Sequence, residues 1–407
     1  MIPLRNLAFL SAAAISLASA GPFLQHEQRE TAPNQNAGRY IVTLKEGLDA
    51  SVVEQHLQRA TSIHARSTSP LVGMERQWSI GSWNGYSCTM DTDTFSQIST
   101  DSAVELIEPD VPFVLTKHIT QEKAPWGLGA ISHRTGNHTE YVYDSKAGEG
   151  TYAYILDTGL LTTHSEFEGR ASLGYNAVGG PFIDDIGHGT HVAGTIGGKT
   201  FGVAKKARLI SVKIFSQETG LSSDFLEGFH WAVSNITNSK RQGMSVINVS
   251  GGSSMLESVN RAVEQAYKQG VLTVAAAGNS NEDAQHHSPA SAPSAVTVGA
   301  VNSNYARSFF SNWGPSVDIF APGEYVQSSF ARSDNDTLLA SGTSMSTPHV
   351  SGLILYLKSI MPYRMKTPSD TVAELQRLAT GGAVGDSRGG KNLLAFNGNG
   401  VAIFGDR

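Results

Sequence analysis

The sequence predicts a three-layer α/β fold, in which a parallel sheet carries helices on both faces, preceded by a small α+β module. Three observations lead to this prediction. From Ala124 onward, short apolar runs alternate with helical segments. Those runs are apolar on both faces, as buried parallel strands are. The 407 residues suffice for one large domain and a smaller companion, and 42 glycines suit the tight turns of such a fold.

The first twenty residues have the pattern of a secretory signal peptide. Arg5 precedes an apolar run over residues 7–17, and Ala18-Ser19-Ala20 forms a small-x-small cleavage pattern. A membrane anchor is the alternative, but the run is about half of the roughly 20 residues that a spanning helix needs. We therefore predict a secreted, extracellular protein without a membrane anchor.

Residues 39–114 form the small module, and the rest of the chain forms the large domain. In the module, strand and helix patterns cover residues 40–44, 50–60, 78–90, 93–100 and 104–110. Residues 115–123 are polar and predict a linker or a processing segment. In the large domain, strands are predicted at 152–156, 207–215, 245–249 and 271–277, with helices from His188, over 224–235 and over 256–269.

Composition narrows the possible partners. The net charge of -6 comes without a basic run, which argues against nucleic acid. Cys88 is the single cysteine, so rigidity must come from a large core or from bound ions.

Three motifs lie where a predicted strand ends or a predicted helix begins. Asp157 ends a strand in Tyr-Ile-Leu-Asp-Thr-Gly, and His188 opens a helix in Gly-His-Gly-Thr-His. Ser344 lies in Ser-Gly-Thr-Ser-Met-Ser-Thr-Pro-His, at the start of a helix whose first turn is expected to hold the proline. Each motif alone is usually structural. Together, and in the order Asp, His, Ser, they match the order of the subtilisin triad.

The chain from about Ala124 to Asn397 resembles the proteinase K branch of the subtilisin-like serine proteases, in particular the secreted enzymes of filamentous fungi. The segments Pro-Trp-Gly-Leu at 125–128, Ala-Ala-Gly-Asn at 276–279 and Ser-Pro-Ala-Ser at 288–291 add to the match. The resemblance implies a serine endopeptidase of broad specificity. It assigns Ser344 as the nucleophile, His188 as the general base, Asp157 as the group that orients the imidazole, and Asn279 as an oxyanion donor.

The same resemblance implies a substrate cleft that binds an extended peptide by strand addition. The matching residues are Gly220, Leu221, Ser222, Ser250, Gly251, Gly252, Ala276 and Gly278. The usual Ser-Leu-Gly-Gly motif reads Ser-Gly-Gly-Ser at 250–253, so a pocket-lining leucine is missing. A change in the hydrophobic preference of the family is therefore expected.

One structural calcium ion is implied as well. Its expected ligands are the backbone carbonyls of Pro293 and Ala295 and the carboxylate of Asp318, hard oxygen donors that suit this ion. Asp318 as an ordinary surface acid is the alternative. The second calcium site of this branch is not predicted, because residues 375–379 offer no aspartate.

The N-terminal module resembles the propeptide of these proteases, which acts as an intramolecular chaperone and inhibitor. The expected organisation is a signal peptide at 1–20, a propeptide at 21–118 and a peptidase domain at 119–407. Self-cleavage is expected near residues 117–120, which would leave the mature enzyme without cysteine. The mature protein is expected to be monomeric, with possible glycosylation of Asn137, Asn235 and Asn335 but not of Asn248, which lies in a predicted buried strand.

Three other functions fit these motifs less well. Zinc catalysis by His188 and His191 lacks the four-residue spacing and the glutamate of zinc peptidases, so His191 and His349 are expected to be buried structural residues. A lipase would need the Gly-x-Ser-x-Gly elbow, which is absent around Ser344. An inactive relative acting as a binding protein would normally have lost a triad residue or Asn279.

Overall fold

The computed structural model describes residues 37–67, 73–110, 118–217 and 219–401. The chain divides into two compact units, residues 1–114 and 115–407. The predicted signal peptide lies outside the described residues, as does part of the predicted linker. No described helix is long and apolar enough to cross a bilayer.

The N-terminal unit is a four-stranded antiparallel sheet with two helices, in the strand order β2-β3-β1-β4. Cys88 lies in β3 with 1% of its surface exposed, and burial raises the pKa of its thiol to about 12. The thiol is therefore an apolar core group at neutral pH. The elements are β1 (Ala37–Leu44), α1 (Ala50–His64), β2 (Gly73–Ile80), β3 (Trp83–Asp91), α2 (Thr92–Ser99) and β4 (Val104–Pro109).

The larger unit confirms the predicted parallel sheet with helices on both faces. Nine of the fifteen described strands of this unit form the sheet. They lie in the order β18-β19-β15-β14-β12-β10-β7-β9-β8, and all neighbours are parallel except β18 and β19. The strands are β5 (His118–Gln121), β6 (Tyr141–Asp144), β7 (Tyr152–Asp157), β8 (Ala171–Asn176), β9 (Arg208–Lys213), β10 (Ser245–Val249), β11 (Ser253–Ser254), β12 (Thr273–Ala276), β13 (His287–Ser288), β14 (Ala295–Val301), β15 (Ile319–Pro322), β16 (Val326–Ser329), β17 (Thr337–Ala340), β18 (Thr380–Gly381) and β19 (Leu393–Leu394). The helices are α3 (Trp126–Ser132), α4 (His188–Gly197), α5 (Ser222–Asn238), α6 (Glu257–Lys268), α7 (Thr343–Ile360) and α8 (Pro368–Leu378).

Strand β7 shows why the sheet is buried on both faces. Ala153 and Ile155 pack in the apolar cluster that includes residues of α4 and α7, whereas Tyr154 and Leu156 pack in the cluster with residues of α5 and α6. Because side chains alternate along a strand, Asp157 continues the row toward α4 and α7. The alternation thus sets the direction of a candidate catalytic group.

One local expectation was incomplete and one was wrong. The predicted linker or processing segment includes a short strand, because His118–Gln121 pairs antiparallel with β6. With Ile119 as their single apolar side chain, these four residues give too weak a pattern to predict an edge strand. Pro348 is the sixth residue of α7 and lies in its second turn, not in its first.

Candidate active site

Asp157 lies at the carboxyl end of β7 and is fully buried. Its Oδ1 accepts a hydrogen bond from the backbone N–H of Thr158 at 2.8 Å, and His188 Nδ1 lies 2.7 Å from the same oxygen. A carboxylate in this position favours the imidazole tautomer with its proton on Nδ1, which leaves Nε2 free to accept a proton.

His188 begins α4 directly after Gly187, whose φ of 90° is in the left-handed region. A Cβ at position 187 would lie 2.5 Å from the ring of Phe330, so only glycine fits this turn. The His188 side chain is 30% exposed, open to the cleft. Burial by itself lowers the pKa of the imidazole. The charge of Asp157 and the hydrogen bond to it outweigh burial, so the His188 pKa is raised above the ordinary histidine value.

Asp184 was missed in the sequence analysis, although it lies four residues before His188. Its carboxylate accepts from the hydroxyl of Thr158 (2.7 Å), from the N–H of Gly187 (2.8 Å), and from both the N–H (2.8 Å) and the hydroxyl (2.6 Å) of Thr190. It therefore ties the residue after Asp157 to the turn that carries His188. The signal available in the sequence was an acidic residue three positions before Gly187.

Ser344 lies in the first turn of α7, and its hydroxyl donates to the backbone carbonyl of Ser250 at 2.8 Å. Pro348 has no N–H to donate to the Ser344 carbonyl four residues earlier. The Ser250 hydroxyl donates to that carbonyl instead, at 3.0 Å. Ser250 thus compensates for the proline in the second turn and holds the serine-bearing end of α7 against the sheet.

Strand register brings the three predicted catalytic residues to one edge of the sheet. Leu156 of β7 pairs with Val249 of β10, so Asp157 and Ser250 follow side by side. Asp157 holds His188, and Ser250 contacts Ser344. Among the hydrogen bonds of the described residues, the Ser344 hydroxyl donates to Ser250 and not to His188. The hydroxyl must therefore turn from Ser250 before His188 can take its proton.

Asn279 and the start of α7 provide two donors around one point. The Asn279 Oδ1 accepts from the N–H (2.8 Å) and the hydroxyl (2.9 Å) of Thr343, which directs Nδ2 away from that contact. A Cβ at Gly342 would lie 3.4 Å from Asn279 Nδ2 and 3.6 Å from the backbone N of Ser344. The space beside Gly342 is therefore flanked by two N–H groups suited to an oxyanion. Thr343, which orients Asn279, was not predicted.

Five of the eight predicted substrate-binding residues line one small cavity of about 50 Å³. They are Gly220, Leu221, Ser222, Gly251 and Gly252, and the Phe215 side chain lines the same cavity. A Cβ at Gly251 would lie 2.9 Å from Cζ of the Phe215 ring. The ring therefore packs against the backbone where the family's leucine is missing. Phe215 follows β9, a distant part of the chain, so the motif at 250–253 gave no signal for it.

The other three residues have different places. Ser250 contacts Ser344, as described above. Ala276 ends β12 and is buried, and Gly278 donates its backbone N–H to the Thr343 hydroxyl at 3.1 Å. None of the three lines that cavity.

The residues of the predicted calcium site gather at the start of β14 and β15. Asp318 Oδ2 accepts from the N–H of Thr297, two residues after Ala295, at 3.0 Å. Asp318 Oδ1 accepts from Lys391 Nζ at 2.8 Å. A carboxylate and backbone carbonyls suit calcium, but the lysine ammonium competes for the same oxygen. Lys391 is 49% exposed and can turn into solvent.

The two other histidines near the site are buried, as predicted. His191 Nε2 lies 3.0 Å from the carbonyl of Val326 and 3.1 Å from that of Leu338, and burial lowers its pKa to about 4. His349 is 2% exposed, and burial likewise lowers its pKa to about 4. Both are neutral at physiological pH and act as structural donors.

The four sequons differ in exposure. Asn137 and Asn335 are exposed. Asn235 lies inside α5, where its Oδ1 accepts from the Tyr154 hydroxyl at 2.6 Å. Asn248 is fully buried, and its amide bonds to Ser250 and Ser351.

Two family models match the chain. The model of the subtilase family matches residues 148–400, and that of the peptidase inhibitor I9 family matches residues 39–116.

The chain belongs to the subtilase family.

It is a subtilisin-like serine endopeptidase with an inhibitor-type N-terminal unit. Alkaline protease 1 of Aspergillus flavus is 45% identical over 407 residues, covering 98% of this chain and 100% of the relative. Alkaline proteinase of Hapsidospora chrysogena is 45% identical with the same coverage. Subtilisin-like proteinase Mp1 of Magnaporthiopsis poae is 45% identical over 98% of this chain and 99% of its own.

The fold agrees with a solved subtilase. The crystal structure of a cold adapted subtilisin-like serine proteinase is 39% identical, with a TM-score of 0.63 over 68% of this chain and 99% of that one. The match confirms the predicted family and the predicted fold class.

Proposed function

We propose that this subtilase is a secreted endopeptidase of broad specificity that cleaves proteins through Asp157, His188 and Ser344. The observation that carries the proposal is the contact of 2.7 Å between His188 Nδ1 and Asp157 Oδ1 at the sheet edge where Ser344 contacts Ser250. Separate parts of the chain supply these groups, and burial of Asp157 fixes the pair before substrate binds.

In the first half of the reaction, the Ser344 hydroxyl turns from Ser250 toward His188. His188 Nε2 accepts the proton as Ser344 Oγ bonds to the peptide carbonyl carbon. Asp157 stays ionised and stabilises the imidazolium. His188 then gives the proton to the leaving amine, and the acyl group stays on Ser344 until His188 activates a water for hydrolysis.

The tetrahedral intermediate carries its negative charge next to Gly342. The side-chain amide of Asn279 and the backbone N–H of Ser344 donate to this oxygen, helped by the positive end of the α7 dipole. Thr343 fixes Asn279, so the donors need no rearrangement during the reaction.

The substrate is an extended peptide that adds to backbone on both sides of the cleft. Residues 220–222 form one side, and residues 250–252 the other, with Ala276 and Gly278 beside the primary pocket. Leu221 is 70% exposed, which leaves this side free for a peptide. Protein substrates are the proposed partners, and nucleic acid is not.

The N-terminal unit serves as an intramolecular inhibitor that the enzyme removes itself. The pairing of β5 with β6 favours a cut before His118, because a cut at Thr120 would divide the strand. Residues 111–117 lie outside the described part of the chain. The released enzyme is expected to act as a monomer, with Asn137 and Asn335 better placed for glycosylation than Asn235.

The calcium ion proposed here is structural. Pro293 and Ala295 would bind it through backbone carbonyls and Asp318 through its carboxylate, after Lys391 turns away. The ion would tie the starts of β14 and β15 together and takes no part in proton transfer.

Ser344→Ala tests the function directly. Purified wild-type protein should show processing near residues 117–120 by mass spectrometry, with the bond before His118 favoured, and should hydrolyse casein. Ser344→Ala should do neither and should give the far-UV circular dichroism spectrum of a folded α/β protein. A fluorophosphonate probe should label Ser344 alone. Self-processing by Ser344→Ala would overturn the autocatalytic mechanism, and an unlabelled, inactive wild-type protein would favour the inactive relative.

A further inference from the structure

Three side chains that can ligate a metal meet in the loop between α3 and β6. One ligand atom each from His133, His138 and Glu140 lies within 4.8 Å of the others. Within the described part of the chain, no other such group of three histidine, cysteine or acidic residues occurs. The loop lies outside the residues assigned to peptide hydrolysis and outside the proposed calcium site.

His133 has polar contacts on both ring nitrogens. Its Nδ1 lies 3.1 Å from the carbonyl oxygen of Gly129 in α3 and 3.1 Å from the hydroxyl of Ser132. A carbonyl only accepts, so the contact with Gly129 is a hydrogen bond when Nδ1 carries the proton. In that tautomer the lone pair of the neutral ring is on Nε2, which faces Glu140 Oε1 at 3.3 Å.

With the proton on Nδ1, His133 presents the lone pair of Nε2 to the Glu140 carboxylate, and a metal ion between the two atoms would bind both. Metal-binding histidines typically donate their other ring N–H to a backbone carbonyl, and the contact of His133 Nδ1 with Gly129 has this form. This arrangement fixes the ring orientation before an ion arrives.

His138 completes the group from the other side. Its Nδ1 lies 4.0 Å from Glu140 Oε1, and its Nε2 lies 3.1 Å from the hydroxyl of Thr135. Both histidines therefore turn one nitrogen toward the same carboxylate oxygen and have the other nitrogen in contact with a polar group of the loop.

The separations are near those of a metal site. Ligands about 2.0–2.1 Å from a tetrahedral zinc ion lie about 3.3 Å apart, and the two measured contacts to Glu140 are 3.3 and 4.0 Å. The two rings are stacked, with centroids 3.8 Å apart and planes within 6°. An ion in the plane of both rings requires them to tilt apart. His138 is 33% exposed and His133 is 15% exposed, so His138 is the ring that can turn.

The backbone of the loop is held at several points. Arg134 donates to the carbonyl of Leu378 at 3.2 Å and stacks over Phe396 at 4.2 Å, and the Tyr305 hydroxyl donates to the carbonyl of Thr135 at 3.1 Å. The three ligands therefore come from a fixed loop.

We propose that His133, His138 and Glu140 bind one divalent transition-metal ion of the zinc class, with water in the remaining position. Two imidazole nitrogens and one carboxylate oxygen suit zinc rather than calcium or magnesium. The ion joins the end of α3 to the start of β6. The single cysteine excludes an intramolecular disulfide, so the ion would hold this loop where no covalent cross-link can.

Zinc binding tests this site without any need for proteolysis. The full chain carrying Ser344→Ala, freed of metal and produced in bacteria so that Asn137 carries no glycan, is titrated with zinc chloride by calorimetry. One tight zinc ion per chain is expected. At zinc 100-fold above the dissociation constant, the melting temperature should rise by about 5 °C.

Two variants locate the ion. His138→Ala and Glu140→Gln, each added to Ser344→Ala, should weaken binding of this tight zinc ion at least tenfold. Even loss of a residue that only orients a ligand lowers metal affinity about 10–100-fold. The matched control is His287→Ala, because His287 Nε2 faces Glu282 Oε1 at 2.8 Å in a pair without a third ligand. This variant should bind the tight zinc ion with unchanged affinity.

Three results would overturn the proposal. The first is no zinc binding above the buffer background. The second is a zinc affinity of His138→Ala equal to that of the parent, and the third is loss of the tightly bound zinc ion in His287→Ala. Melting curves of the metal-free variants serve as the folding check. Because the parent is already Ser344→Ala, the outcome is independent of whether Ser344 is the nucleophile.

Discussion

The proposed catalytic edge and the proposed substrate cavity lie at the same end of the sheet, yet they are built in opposite ways. At the proposed catalytic edge, Asp157 and Asp184 are buried and hydrogen-bonded to backbone and side chains. The cavity is shaped by two glycine-containing segments, by the exposed Leu221 and by the Phe215 ring. The proposed catalytic groups are thus held by many hydrogen bonds, whereas the shape of the cavity depends on where glycines leave space and on where the Phe215 ring fills it.

A change at the catalytic edge should therefore cost much more activity than a change in the cavity. Asp157→Asn is expected to have the largest effect. It removes the carboxylate that orients His188, and kcat should fall about 10⁴-fold.

The pH profile gives a second readout for the same variant. His188 acts as a base only when neutral, so activity falls as the pH drops through its pKa. Asp157 raises that pKa, which places the acid limb of kcat/KM above the ordinary histidine value. In Asp157→Asn the limb should move to lower pH. An unmoved limb would show that another group controls the profile.

Gly342→Ala should have the next largest effect. The added methyl group would lie between the Asn279 amide and the Ser344 N–H, and the φ of 153° at this position strains any residue other than glycine. We expect kcat to fall about 10²–10³-fold, the loss expected for one oxyanion donor. Steady-state kinetics measure it, with Gly382→Ala as the control because that glycine also has a positive φ but open space around it. Equal activities of the two variants would contradict the proposed oxyanion position.

Phe215→Ala should change selectivity more than turnover. Removal of the ring enlarges the small cavity beside Gly251, and substrates with a large apolar side chain at the matching position should gain about tenfold in kcat/KM over those with alanine. A peptide library gives the profile. Phe309→Ala is the control, since Phe309 is 80% exposed and does not line the cavity. Identical profiles for wild type and Phe215→Ala would remove the ring from the specificity determinants.

The proposed calcium site combines features of both regions, because Asp318 has a fixed backbone hydrogen bond, whereas its partner Lys391 is half exposed. Chelation of calcium should lower the melting temperature of the wild-type enzyme by a few degrees, and by about 5 °C in Lys391→Met, where no ammonium replaces the ion. Differential scanning calorimetry measures both. Lys206→Met, which breaks the exposed pair with Glu149, is the control. A chelator without effect on Lys391→Met would exclude a calcium site at Asp318.

Local patterns were enough for the parallel sheet, for the ends of β7 and β10 and for the three catalytic motifs, since each is set by residues adjacent in sequence. They failed where partners are distant. Phe215 beside Gly251 and Lys391 on Asp318 are contacts between strand ends that no local pattern encodes. The histidine pair at 133 and 138 was overlooked because its meaning depends on how the loop folds back onto Glu140.

The sequence by itself determined the family, the fold and which side chains can take part in chemistry, because apolar periodicity and glycine-bordered motifs act over a few residues. Only the tertiary structure decided how those side chains are held. Ser250 lies beside Asp157 because β10 pairs with β7, and it contacts Ser344 because α7 packs on β10. Its hydroxyl satisfies a carbonyl that Pro348 leaves without a donor. The reason is physical: a hydrogen bond between residues 94 positions apart forms only once the sheet and α7 have packed together.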